Sequence, residues 1–310
     1  MTKRLSSFLL AAGLGFSLCA CQPPAAEVTP TPPATPAPGQ FVFTRENFPV
    51  LDGSTATAPL GQAIASVLLG ESREEVADLI RFDKTSRAYY NLVDGTAELL
   101  IVAEGGEDSY SYRDEHGQTW RMEPIAAETL VFFVNADNPV DDLTLDQVRR
   151  IYSGEITNWA QVGGSAAPIQ AYQRPQGGGS QAIMDKEVMG ELPMMEPANT
   201  DYVVSSMEGI IEAVRAWDNQ PDAIGYTVYY YADDMGMADG LKLLSIDGVH
   251  PNDDTIRSGE YPIHTAYYAV MSADTPEDSP TAILFDWLLS QEGQDLIDHE
   301  GYVSIMEPSK

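Results

Sequence analysis

From Phe41 onward, short apolar runs alternate with stretches in which apolar residues recur every three or four positions. A bounded apolar run reads as a buried strand, and the three-four spacing reads as one face of a helix. On that basis strands are expected at 48–51, 99–102, 130–134, 169–172, 223–226 and 263–271. Helices are expected at 59–69, 87–93, 145–152, 180–189 and 210–217, and as one helix or two at 280–299. In the helix at 59–69, Leu60, Ile64, Val67 and Leu68 share a face. Strands alternating with helices predict an α/β class with mostly parallel sheets.

The first forty residues follow a different pattern. Lys3 and Arg4 precede a short apolar run from Phe8 to Leu18, too short for a comfortable membrane span. Leu18-Cys19-Ala20-Cys21 then resembles the bacterial lipobox, which implies that residues 1–20 are a signal peptide and that Cys21 becomes the lipidated first residue. The alternative is an ordinary cleaved signal with an incidental cysteine. Residues 21–40 are rich in Pro, Ala and Thr and read as a semi-extended linker. At about 3.1 Å per residue such a linker reaches roughly 55–60 Å. No later segment approaches a span, so lipid would be the membrane anchor.

The 310 residues carry a formal charge of −30, which argues against nucleic acid and anionic membrane surfaces as partners. An anionic ligand remains compatible, because charges beyond about 8–10 Å are largely screened at physiological salt. Cys19 and Cys21 are the only two cysteines, so the body of the chain has no disulfide framework and no thiolate metal site. His116, His250, His264 and His299 form no pair at ligand spacing. No metal and no cofactor are expected.

Two segments carry candidate chemistry. In Asp52-Gly53-Ser54-Thr55-Ala56-Thr57-Ala58-Pro59 a strand ends at a glycine and hydroxyl residues lead into a helix with proline in its first turn. The first N–H groups of a helix lack internal partners and carry partial positive charge, so they suit an anion. The competing reading is simple N-capping by Ser54, Thr55 or Thr57. In Gln173-Arg174-Pro175-Gln176-Gly177-Gly178-Gly179-Ser180-Gln181 glycines again join a strand to a helix. Close backbone approach, the Ser180 hydroxyl and the Arg174 fork would surround a small tetrahedral anion. The alternative is a flexible glycine loop. No Lys-Ser/Thr pair follows the glycines, so this is not a nucleotide P-loop.

The segments LTLDQVRRIYSGEITNWAQVGG (143–164) and PIQAYQRPQGGGSQAIMDKEVM (168–189) resemble the second lobe of phosphate-type solute-binding proteins of the type 2 periplasmic-binding fold. DAIGYTVYYY (222–231), the run 243–270 and the ending 286–305 fit the same family, so the resemblance spans nearly all of 48–305. It implies two α/β lobes, 41–134 with 265–310 and 135–264, each a mixed, mostly parallel sheet flanked by helices. The two crossovers would form a hinge near 133–135 and 264–266. It also implies a monomeric, extracytoplasmic, lipid-anchored bacterial protein that closes on inorganic phosphate and delivers it to the permease of an ABC importer.

Carried across by position, the implied ligand residues are Ser54, Thr55 and Thr57, then Thr85 or less clearly Ser86, then Arg174, Gly178, Gly179 and Ser180. Gly178 stands where the family usually has a serine. The carboxylate that accepts a proton from bound phosphate has no clean match. Glu104 is the nearest candidate, and Ala103 stands at the expected position. The tyrosine runs 229–231 and 267–268, Trp159 and Trp217 are read as packing, and Asp233-Asp234 and Asp253-Asp254 as solvated turns. Two other readings stand beside phosphate: binding or sensing of another oxyanion such as sulfate or molybdate, and, in a different class, an anchored phosphohydrolase. The resemblance and the absence of a nucleophile–base pair point away from an enzyme.

Overall fold

The computed structural model describes residues 41–306 except 83, 177, 198–199, 216–221 and 234–239. The expectations for the signal peptide, Cys21 and the linker lie outside the described residues, as do those for Gly177, Trp217 and Asp234. Among the described residues the strands are, in chain order, β1 (Leu51–Gly53), β2 (Leu99–Ala103), β3 (Trp120–Glu128), β4 (Leu130–Asn135), β5 (Asp142–Leu143), β6 (Gln170–Ala171), β7 (Ala223–Val228), β8 (Leu241–Leu243), β9 (Ser245–Ile246), β10 (Thr265–Ser272) and β11 (Val303–Ser304).

Two sheets build the molecule. The first has the order β1-β2-β10-β3-β11 and the second β6-β7-β4-β8, with a small β5-β9 ribbon beside them. The apolar runs occupy inner strands. All of β2 is buried, as are Leu130 to Val134 of β4 and every residue of β7. Helices cover the faces, as their apolar stripes require. The helix Ala58–Leu69 buries Leu60 and Ile64, while Val67 on its far side is exposed.

The sheets are mixed, as expected, but most pairings are antiparallel, which corrects the parallel expectation. Only β1–β2 in the first sheet and β6–β7 in the second run parallel; β10 lies antiparallel to both β2 and β3, and β4 antiparallel to both β7 and β8. The reason is the route of the chain. It leaves the first sheet through β3, enters the second as β4, and returns as β10 to lie between β2 and β3.

The crossover also falls earlier than the expected boundary at 134. β4 belongs wholly to the second sheet, so the outward crossover is Thr129, between Glu128 and Leu130. The return crossover precedes Thr265. Thr129 is fully buried, and its hydroxyl donates to the Ile263 carbonyl at 2.7 Å, fastening the two crossovers together.

The strand β3 and a helix at Glu107–Glu115 are absent from the sequence-based expectations. Pro124 sits inside β3 beside a bulge, where Tyr267 pairs with Ala126 and Tyr268 with Pro124. A proline needs such an irregular or open-edged place in a sheet. Of the one helix or two expected at 280–299, there are two, Pro280–Leu288 and Gln291–His299, and Ser290 caps the second by accepting from the Gly293 N–H. The segment 253–257 is a short helix capped by Asn252, so Asp253 and Asp254 occupy its first turn and not a loop.

Candidate functional site

The first sheet presents three chain ends at one place. β1 stops at Gly53, and a Cβ there would stand 2.0 Å from the Ile101 carbonyl oxygen, so only glycine lets β1 lie this close to β2. The turn Thr55–Thr57 then leads into the helix Ala58–Leu69 with Pro59 in its first turn. Ser54 does not cap this turn with its side chain. Its Oγ instead accepts the Ala103 N–H at 2.9 Å and shares a hydrogen bond of 2.9 Å with Thr85 Oγ1, at the start of the helix Thr85–Val93. One hydroxyl proton of that pair is used in the contact. Whichever way the pair is oriented, the other proton remains to be donated elsewhere.

The second sheet supplies the opposing wall. After β6 the chain turns through Gln173 to Gly178 and enters the helix Gly179–Ile183, which continues as a π-helical stretch Met184–Met189. Tyr226 of β7 holds this turn. Its Oη accepts the Arg174 N–H at 3.0 Å and donates to Gln181 Oε1 on the following helix. Burial raises the Tyr226 pKa, so the hydroxyl stays protonated.

Arg174 is the electrostatic centre of this wall. Its Nη1 donates to the Val204 carbonyl at 3.1 Å, while Nε is buried without a hydrogen-bond partner. Burial lowers its pKa from the ordinary arginine value. The ion pairs among the described residues place no carboxylate on it. A half-buried guanidinium left in this condition is costly unless an anion completes it.

The two walls enclose a cavity of about 360 Å³. Ser54, Thr55, Thr85, Arg174, Gly178, Gly179 and Ser180 all line it. Ser54, Thr85 and Ser180 are buried, whereas Thr55 stands at the exposed mouth. The approach is close: a Cβ on Gly179 would lie 3.2 Å from Thr85 Oγ1 and 3.8 Å from the Ala103 Cβ. The cavity opens where the parallel strand pair of each sheet ends, the usual place for a ligand crevice in α/β sheets.

Two expected residues are elsewhere. Thr57 turns away from the cavity and donates to the carbonyls of Ser54 and Ile101, because the tight turn aims it back at β2. It anchors the turn and has no proton left for a ligand. Glu104 lies one residue past the cavity wall. Its carboxylate is held at 2.7 Å by Lys186, and it faces a wider outer cleft of about 900 Å³. It therefore stands outside the inner cavity. Ser86 also borders only the outer cleft.

Sequence reasoning did not assign Lys84, Gln176, Ser205, Val228 and Tyr267, which also line the cavity, together with Ala56, Ala103 and Pro175. Lys84 was discoverable, since it adjoins Thr85; Ser205 and Val228 arrive from distant parts of the chain. Trp159 is a packing residue, as expected, and its Nε1 donates to the Asp222 carbonyl at 2.8 Å. Among the tyrosines, Tyr230 stacks on Tyr302 with centroids 3.8 Å apart, and Tyr302 Oη donates to the Ala56 carbonyl at 2.7 Å. That pair links the helix after β7 to the Ser54 turn. No group of His, Cys, Asp and Glu among the described residues is arranged to hold a metal ion. No helix among them is long and apolar enough to cross a membrane.

The fold and its cleft define a two-lobed binding protein with a donor-lined cavity between the lobes. The chain belongs to the PBP superfamily, whose domain model matches residues 81–292. It is 25% identical over 261 residues to the phosphate-binding protein PstS of Bacillus subtilis, covering 83% of this chain and 80% of that protein. It is 27% identical over 196 residues to PstS of Borreliella burgdorferi, covering 62% and 69%. Among solved structures, a substrate-binding protein from Clostridium perfringens with bound phosphate superposes with a TM-score of 0.64 at 23% identity, over 83% of this chain and 98% of that one.

Proposed function

We propose that this protein is the extracytoplasmic binding component of an ABC importer for inorganic phosphate. The observation that carries this reading is the Arg174 guanidinium, half-buried, unpaired by any described carboxylate and set among hydroxyl and backbone donors in the inner cavity. Ser54, Thr55, Thr85 and Ser180 would donate from hydroxyls, and Gly178, Gly179 and Ser180 would offer backbone N–H groups at a helix start. Relatives named as phosphate-binding proteins support phosphate as the ligand and binding as the whole activity, with no covalent step. In this reading the protein is a monomer, held to the cell surface by lipid on Cys21, and its closed form is what the permease recognises.

Titration calorimetry with phosphate tests the site. Arg174→Ala should weaken binding by about 100-fold or more, since hydrogen bonds to charged groups are each worth about 1.5–3 kcal/mol. Unchanged affinity would remove this guanidinium from the ligand. Cell fractionation of Cys21→Ser tests the anchor: release from membranes is expected, and continued membrane association would rule out lipid at that cysteine.

A further inference from the structure

We propose that Lys186 and Glu104 form a latch between the two lobes that slows release of the bound anion. The inference rests on the phosphate-clamp reading above and adds two positioning residues to it. Its basis is a contact that joins the lobes outside the inner cavity. Lys186 Nζ stands 2.7 Å from Glu104 Oε1. Glu104 directly follows β2 of the first sheet, whereas Lys186 lies on the π-helical stretch Met184–Met189 that extends the helix Gly179–Ile183 of the second lobe. The same ammonium is in electrostatic contact with Tyr110, on the helix Glu107–Glu115, and with Tyr268 of β10. One side chain of the second lobe thus spans the cleft to the first.

The position of the pair ties it to closure. Ala103, next to Glu104, is where the first lobe comes near Gly179: a Cβ on that glycine would lie 3.8 Å from the Ala103 Cβ. Thr85, Gln176, Gly178 and Gly179 border both the inner cavity and the outer cleft that holds the pair. When the walls part at Gly179, the backbones that carry the two charges part with them. The attraction then falls with distance and with the water that enters. A contact made only in the closed form shifts the balance toward that form, by no more than its own strength. The side chains are 58% exposed for Lys186 and 26% for Glu104, so the strength is that of a solvent-exposed pair. Breaking it should speed release by about two- to five-fold.

The sign of the effect separates a latch from a direct pull on the anion. As independent charges beside the cavity, Lys186 attracts the ligand and Glu104 repels it. Losing Lys186 would then speed release, and losing Glu104 would slow it. A latch needs both partners, so losing either one speeds release and losing both adds nothing further.

The test follows radiolabelled phosphate leaving the full chain during a chase with unlabelled phosphate at physiological salt. The natural protein is compared with Lys186→Gln, Glu104→Gln, Glu104→Asp and the double Gln variant. Each single Gln variant should release about two- to five-fold faster, and the double variant no faster than the quicker single one. Glu104→Asp keeps the charge and shortens the arm, so it should also release faster. It decides the matter if a melting curve shows that a Gln variant does not fold. Release from Glu104→Gln that is slower than or equal to that of the natural protein overturns the latch, as does a double variant whose effect is the sum of the two. Either result leaves the phosphate reading intact. A natural protein that binds no phosphate overturns that reading itself, and solution scattering of the ligand-free chain then decides the latch. The Gln variants should be more expanded than the natural protein, and identical scattering overturns the latch.

Discussion

At the residue scale, Arg174 and Glu128 stand out among the described residues as ionisable groups in conditions that cost stability. Arg174 is the first, and in the proposed reading a ligand offsets its cost. Glu128 is the second, and no ligand is needed to explain it. It is buried at the crossover, where Oε1 accepts the N–H groups of Thr129 at 2.8 Å and Tyr229 at 2.9 Å. Burial pushes its carboxyl up from 4.5 to about 7, against the pull of those N–H donors. Below pH 4.5 the carboxyl is protonated in both folded and unfolded chains. Between pH 4.5 and about 7 the unfolded chain has lost that proton and the folded chain keeps it. Stability from this group therefore falls as pH rises through the window, by up to about 1.4 kcal/mol per pH unit, and levels off above it. Glu128→Gln keeps one oxygen for the same two donors and does not titrate. Thermal melts from pH 4 to 8 should show the variant gaining on the natural protein between about pH 4.5 and 7. Parallel profiles would mean that this carboxyl is not displaced. Nothing in the sequence marks Glu128, since its burial arises from two crossovers that are 134 positions apart at Thr129 and Ile263. Ser54, Thr85, Arg174 and Ser180 were legible as residues of the cavity lining because each lies in or near a glycine-led turn or a helix start. Thr57 and Glu104 were misplaced because adjacency along the chain does not say which way a side chain points.

At the scale of elements, glycine at position 179 does two things. It begins a helix, and it leaves room for Thr85 and Ala103 opposite. Gly179→Ala separates the two roles. In a helix alanine is favoured over glycine by about 1 kcal/mol, so the fold should hold or gain. The added methyl would stand 3.2 Å from Thr85 Oγ1, so the walls would have to part. An unchanged or higher melting temperature with phosphate affinity weakened about tenfold is expected. A variant that binds as tightly as the natural protein would show that the walls have slack at this point. Helices and strands with a strong apolar period were readable with their ends within about three residues. The helix Leu145–Tyr152 is bounded as its pattern says, with Thr144 and Gln147 forming a capping box. The helix Glu107–Glu115 was not readable, because Ser109 is its only buried residue and no stripe exists to find. β3 was hidden by Pro124 and by the charges at Arg121 and Glu123.

At the scale of the whole molecule the field opposes the proposed ligand. The chain has a formal charge of −30, and the outer cleft is walled by Glu104, Glu107, Asp108, Asp114, Asp185 and Glu187 with Lys186 between them. An anion approaching Arg174 from the side of the outer cleft passes those carboxylates. The screening length falls from about 30 Å at 0.01 M salt to about 8 Å at 0.15 M. Stopped-flow association of phosphate should therefore become faster as salt rises across that range, the reverse of an electrostatically steered encounter. A rate that falls with salt would mean that Lys84 and Arg174 dominate the approach.

The bond from Thr129 to the Ile263 carbonyl has a mechanical consequence. Two straps fastened side by side make an axle, where a single strap would make a swivel. In the proposed clamp, opening would be confined to one angular coordinate, with twisting of one lobe against the other resisted at the root. The helix tips at Thr85 and Gly179 would then swing apart and return to the same facing positions.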